Sequence, residues 1–122
     1  MTTQARAVLT GRAGEERVAR LLVDEGWSIE ARNFRRGPGE LDIIARKKDL
    51  VAFIEVKTWP RGRAIDLERA LNGNKRHRIV ETSKIFLALH RQYSEARVRY
   101  DVFLLTADGS VERFEEAFTG EP

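Results

Sequence analysis

The sequence contains no cysteine, which excludes disulfides, thiol nucleophiles and cysteine-ligated zinc and fits a reducing, cytoplasmic setting. No apolar run approaches the roughly 20 residues of a bilayer span. Met1-Thr2-Thr3-Gln4-Ala5-Arg6 is not followed by the apolar core of a signal peptide. A soluble protein with no membrane contact is therefore expected. Histidine is scarce: His77 and His90 stand too far apart on one predicted helix to form a metal pair, and both read as structural or surface residues. Neither Gly37-Pro38-Gly39 nor Asn72-Gly73-Asn74-Lys75 has the Gly-Lys-Ser/Thr ending of a P-loop, which disfavours nucleotide hydrolysis. There is no internal repeat and no low-complexity stretch.

What is there suffices for one compact core: 122 residues, 42% of them hydrophobic. A single domain is expected over residues 11–118, with flexible ends at 1–10 and 119–122. Charged residues make up 34% of the chain at a net charge of only +3, so where charge clusters matters more than its sum.

Ala13, Val18, Leu21 and Leu22 predict an amphipathic helix from about Gly11 to Glu25, stopped by Gly26. Trp27, Ile29 and Ala31 alternate with polar residues as in a strand ending at Arg32-Asn33, and Phe34 to Gly39 reads as a basic turn. Two strand-like runs follow, Gly39 to Ala45 and Leu50 to Lys57. Pro60 and Gly62 then mark a loop. A short helical turn is expected at Leu67, Ala70 and Leu71, capped by Asp66 and broken by Asn72-Gly73-Asn74. A longer helix, Lys75 to about His90, would bury Ile79, Ser83, Phe86 and Leu87. Val98 to Leu105 reads as a strand, and Asp108-Gly109 turns it into a last strand through Val111 and Phe114. The order is helix, three strands, helix, strand, strand, a mixed α/β arrangement with one sheet flanked by helices. A crossover helix between the third and fourth strands permits a parallel pair there.

The two central strands each carry an acid where a sheet would place hydrophobes. Glu55 interrupts Leu50-Val51-Ala52-Phe53-Ile54-Glu55-Val56, and Asp42 interrupts Leu41-Asp42-Ile43-Ile44. A buried carboxylate is costly unless paired or bound to a metal. If the connection Arg46-Lys47-Lys48-Asp49 is an even-numbered turn centred between Lys48 and Asp49, Asp42 faces Glu55 and Glu40 faces Lys57, all on one face. An odd-length loop would spoil that register. Two carboxylates at cross-strand distance repel, and a cation between them would resolve the repulsion. Hard oxygen ligands suit Mg²⁺ or Mn²⁺. Lys57, two residues beyond Glu55, is placed to orient a water and to stabilise charge on a phosphate.

An acid on one strand followed by Glu-x-Lys on the next resembles the core of the PD-(D/E)XK nuclease superfamily, and the element order matches its restriction-endonuclease-like αβββαβ core. More closely, seven blocks resemble the YraN-type family, whose members are ascribed endonuclease activity by inference. They are Gly11-Arg12-Ala13-Gly14-Glu15-Glu16, Arg32-Asn33, Gly39 to Ala45, Phe53 to Thr58, Lys75-Arg76-His77-Arg78-Ile79, Arg99-Tyr100-Asp101-Val102 and Ala117-Phe118. The resemblance runs from about residue 11 to 118. It implies a nuclease-like domain that uses Mg²⁺ or Mn²⁺, with Asp42 and Glu55 as ligands and Lys57 as the catalytic lysine. Glu15 would be the added helix-borne acid seen in archaeal Holliday-junction resolvases. Two departures stand out: Leu41 replaces the proline that often precedes the first acid, and Trp59 stands where YraN-type proteins usually carry arginine.

Arg32, Arg35, Arg36, Arg61, Arg63, Lys75, Arg76 and Arg78 cluster around loops and a helix start that would flank the acids, a collar suited to phosphates. Trp59, beside Lys57 in a basic loop, is placed to stack on an unpaired base. The expected partner is DNA, in branched or single-stranded form, and symmetric cutting would gain from a C2 homodimer. Plainer readings stand beside these. Asp42 and Glu55 would be sheet-edge acids answered by arginines, Lys57 a cross-strand partner of Glu40, and Glu15 an acid favoured by the helix macrodipole. On those readings the chain is a non-catalytic nucleic-acid-binding module or a protein-interaction domain.

Overall fold

Helix α1, Gly11–Asp24, buries Gly14, Val18, Ala19 and Leu22 along one stripe. It ends where Gly26 adopts φ +96°, a conformation that costs glycine nothing. The Gly26 N–H then donates to the Val23 carbonyl at 3.0 Å and the Trp27 N–H to the Leu22 carbonyl at 2.9 Å, satisfying the last turn. The computed structural model describes residues 11–59, 71–106 and 109–120. Outside them lie the expected flexible end at 1–10, the last two residues of the one at 119–122, the helical turn from Asp66 to Ala70, Arg61, Arg63 and Asp108. Trp59 is described by its backbone alone.

Three strands follow: β1 (Ser28–Arg36), β2 (Gly39–Lys47) and β3 (Leu50–Trp59). Helix α2 (Gly73–Leu89) crosses over to β4 (Arg97–Thr106), and β5 (Val111–Phe118) closes the order β1-β2-β3-β4-β5. β3 and β4 run parallel, as a crossover helix allows, and the other neighbours are antiparallel. This is a mixed α/β sheet consistent with the restriction-endonuclease-like core. On one face Val18, Ala19 and Leu22 of α1 meet Ile43, Ala45, Ala52, Ile54, Phe103 and Leu105. On the other Ile79, Val80 and Phe86 of α2 meet Leu41, Ile44, Val51, Phe53, Tyr100 and Val102.

Two boundaries differ from expectation. β1 does not stop at Asn33 but pairs on through Phe34↔Leu41, Arg35↔Glu40 and Arg36↔Gly39, so the turn shrinks to Gly37-Pro38. Burial explains it, since the half-buried Phe34 ring packs edge-on against Phe86, 5.2 Å between centroids. The long helix starts two residues before Lys75, with Asn72 as its cap. The Asn72 side chain accepts the Lys75 N–H at 3.0 Å, and α2 runs from Gly73. Asn72→Ala is accordingly expected to lower stability by about 1 kcal/mol, measured by urea denaturation. Within α2, Ile79, Val80, Thr82, Ser83 and Phe86 are buried and Leu87 is only half-buried.

The β2–β3 hairpin has the even register: Lys47↔Leu50, Arg46↔Val51, Ala45↔Ala52, Ile44↔Phe53 and Ile43↔Ile54. Its turn lacks glycine, so Lys48 itself takes φ +56°. The Arg46 guanidinium binds the Lys48 carbonyl at 3.0 Å and braces the turn.

Candidate functional site

Past Ile43 the hairpin's character changes. The last backbone pair is Ile43↔Ile54, and beyond it Asp42 Oδ2 accepts the Val56 N–H at 2.8 Å. The in–out alternation is interrupted at the same level. In β2 Leu41 and Ile44 join the α2-side cluster while Ile43 and Ala45 join the α1-side cluster. In β1 the matching irregularity is Asn33 at φ +52°, between Arg32↔Ile43 and Phe34↔Leu41. Asparagine tolerates that left-handed conformation better than most residues.

That slip brings some predicted residues together and separates others. Asp42 and Glu55 converge. Glu55 is 8% exposed, and its charge is among the forces acting on Asp42. The Asp42 carboxyl is pushed up to about 7, first by burial, then by the Glu55 carboxylate, with a smaller push from Glu15 and a hydrogen bond shared with Glu55. The Val56 N–H opposes these by favouring the charged form. Glu40, by contrast, does not face Lys57. It pairs with Arg35 at 3.1 Å because the break at Asp42 takes it out of the β3 register. Lys57 lies on the Glu55 face of β3, half-buried, and among the described residues no carboxylate pairs with it.

Glu15 sits beyond the first turn of α1, where no acid falls, so the macrodipole does not account for it. It lines a cavity of about 310 Å³ with Arg12, Asn33, Arg35 and Glu40, next to the acid pair. Among the described residues no three acid or histidine side chains gather closely enough to hold a metal together. Glu15 therefore reaches the pair through its field.

The acids open on a cleft of about 430 Å³ lined by Arg35, Gly37, Pro38, Gly39, Glu40, Asp42, Glu55, Lys75, Arg78 and Ile79. Gly39 matters to its shape: a Cβ there would lie 3.1 Å from both the Arg78 carbonyl and Thr82 Oγ1, pressing α2 off the sheet. Of the basic collar, Arg35, Lys75 and Arg78 reach the cleft, whereas Arg32 is held by Glu16 at 2.8 Å on the α1 side. Arg36 is exposed outside the lining. His77 is exposed, and His90 stacks on Phe86 with Nδ1 at 2.7 Å from the Phe86 carbonyl, a structural place.

Lys75 does more than flank. Its Nζ lies 2.8 Å from Glu55 Oε2, with side-chain exposures of 29% and 10%. The sequence marks Lys75 as basic and near a helix start; its pairing with an acid on β3 has no local signal.

The donor set suits a hard divalent cation. Two carboxylates converge at the edge of the core, one almost buried and the other pushed up by burial and by its neighbour's charge, and an ammonium lies in direct contact with one of them. Two carboxylates, with waters and a substrate phosphate, are a sufficient set for Mg²⁺.

Comparison with known proteins gives consistent relatives. Residues 14–105 match the Uncharacterised protein family UPF0102. The UPF0102 protein of Treponema pallidum (strain Nichols) is 43% identical over 100 residues, covering 82% of this chain and 79% of its own length. That of Treponema denticola is 37% identical over 110 residues (84% and 85%), and that of Bradyrhizobium (strain BTAi1) is 39% identical over 99 residues (81% and 71%).

Proposed function

On the premise that this chain belongs to the uncharacterised family UPF0102, the family to which the YraN-type motifs point, we propose that it is a divalent-metal-dependent endonuclease acting on DNA. The observation that carries this reading is the convergence of Asp42 and Glu55 at the mouth of a cleft whose other charged walls include Arg35, Lys75 and Arg78. Asp42 and Glu55 would hold Mg²⁺ or Mn²⁺. The ion, when bound, supplies Lewis-acid polarisation of the phosphoryl oxygen and lowers the pKa of a bound water. Arg35 and Arg78, which line the cleft, would contact phosphates of the nucleic acid. Lys57 would orient the attacking water and stabilise negative charge on the phosphate. Glu15, one cavity away, would add to the negative field that draws the cation in.

The test is cleavage of branched, single-stranded and duplex DNA in Mg²⁺ and in Mn²⁺. Cutting is expected only with metal, and is expected to disappear in Glu55→Ala with the fold retained by circular dichroism. Metal-dependent cutting that survives in both Asp42→Ala and Glu55→Ala would refute the assignment.

The Lys75–Glu55 pair favours a second reading, a nucleic-acid-binding module without turnover, because it already neutralises one acid. Binding that falls steeply with salt, without calorimetric metal uptake, would select it.

A further inference from the structure

Lys75 stands at an electrostatically awkward place. It lies in the first turn of α2, its backbone N–H held by the Asn72 cap at 3.0 Å. A cation there opposes the positive end of the helix dipole. Local structure therefore does not account for an ammonium at this position. Glu55 does: the 2.8 Å contact places the ammonium on Oε2 of the almost buried acid, in the wall of the cleft.

Resting on the two-carboxylate reading above, we propose that Lys75 is the built-in counter-cation of the Asp42–Glu55 pair, which a divalent metal ion must displace in order to bind. The ammonium and a metal ion compete for the single negative charge of Glu55 and repel each other when both are held by it, so each weakens the binding of the other. Metal affinity is thus set by competition. The energy of binding the ion is reduced by the energy of releasing the lysine, whose flexible stem lets the charge swing toward solvent while its backbone stays capped. Lys75 also keeps the metal-free protein from carrying uncompensated negative charge at the sheet.

The experiment is calorimetric titration of Mn²⁺ into wild type, Lys75→Met and Lys75→Gln, with thermal melts of each in the absence of metal. Both variants are expected to bind Mn²⁺ about tenfold more tightly than wild type. Metal-free Lys75→Met is expected to melt lower than wild type and to be restored by Mn²⁺. Lys75→Gln, which keeps a donor for Glu55, decides the matter if Lys75→Met does not fold. Equal or weaker Mn²⁺ binding by the folded variants overturns the competition while leaving the two-carboxylate site standing. No Mn²⁺ uptake by wild type or either variant overturns the metal reading itself, and this inference with it.

Discussion

Asp42→Asn is expected to abolish metal-dependent cleavage and, in the same molecule, to make the metal-free protein more stable. The first effect follows from removing one of the two carboxylates that define the donor set. The loss should exceed the roughly 10–100-fold that removal of an outer-shell partner causes. The second follows from burying a carboxyl beside another negative charge. Asp42 has an ordinary value near 3.8 and is pushed up to about 7 in the fold, by burial first and the Glu55 charge second. The folded state therefore holds the Asp42 proton more tightly than the unfolded chain does. Its favourable contribution is complete below about pH 4 and is lost as pH rises through about 7. Asparagine is neutral at every pH and keeps an oxygen for the Val56 N–H. The stability advantage of Asp42→Asn over wild type should grow between about pH 4 and 7 and then level off, reaching about 2–4 kcal/mol. Urea denaturation of both proteins in EDTA across that range measures it, and contributions from acids that do not interact with Asp42 cancel in the difference. An advantage that does not change with pH would mean that Asp42 is not under strain. Added Mg²⁺ at about pH 8 should narrow the gap by stabilising wild type alone.

Phe86→Ala is expected to be strongly destabilising. Phe86 is 2% exposed and lies at the centre of an aromatic group on the α2 side of the sheet. Its ring meets Phe34 and Phe53 edge-on at 5.2 and 6.0 Å, and stacks with His90 and Tyr93 at 4.1 and 5.6 Å. Truncation leaves a cavity bordered by rings on a helix, two strands and a connecting turn, which cannot all close on it together. A loss of about 3–5 kcal/mol is expected. In a chain of this size that lowers the melting temperature by roughly 10–20 °C. A loss below about 1 kcal/mol would show that the α2 face repacks freely. The consequence reaches the cleft, because α2 carries Lys75 and Arg78 into it.

Much of this molecule is legible from residue patterns. The order of elements follows from periodicity and from glycine at the right places, as at Gly26 after α1. The even hairpin register, conditional on the loop length, holds as far as Ile43↔Ile54, and Asp42 and Glu55 converge just beyond it. Less legible was the length of β1, because a Phe-Arg-Arg run reads as a turn until Phe34 has Phe86 to pack against. The Glu40–Lys57 pair failed for a related reason. Strict alternation carries Glu40 onto the Asp42 face, but the coupled irregularity at Asn33 and Asp42 breaks the alternation and hands Glu40 to Arg35.

By itself the amino-acid order determined which segments become strands or helices and that two successive strands each carry an acid among apolar residues, since both depend on spacings of a few residues. Only tertiary structure decided what those acids experience. Asp42 is perturbed by burial, by Glu55 on the neighbouring strand and by Glu15 on α1, while Glu55 meets Lys75 from α2 across the chain. Electrostatic energy depends on distance through space and on the water excluded from between the charges, and neither is set until the helices have packed on the sheet.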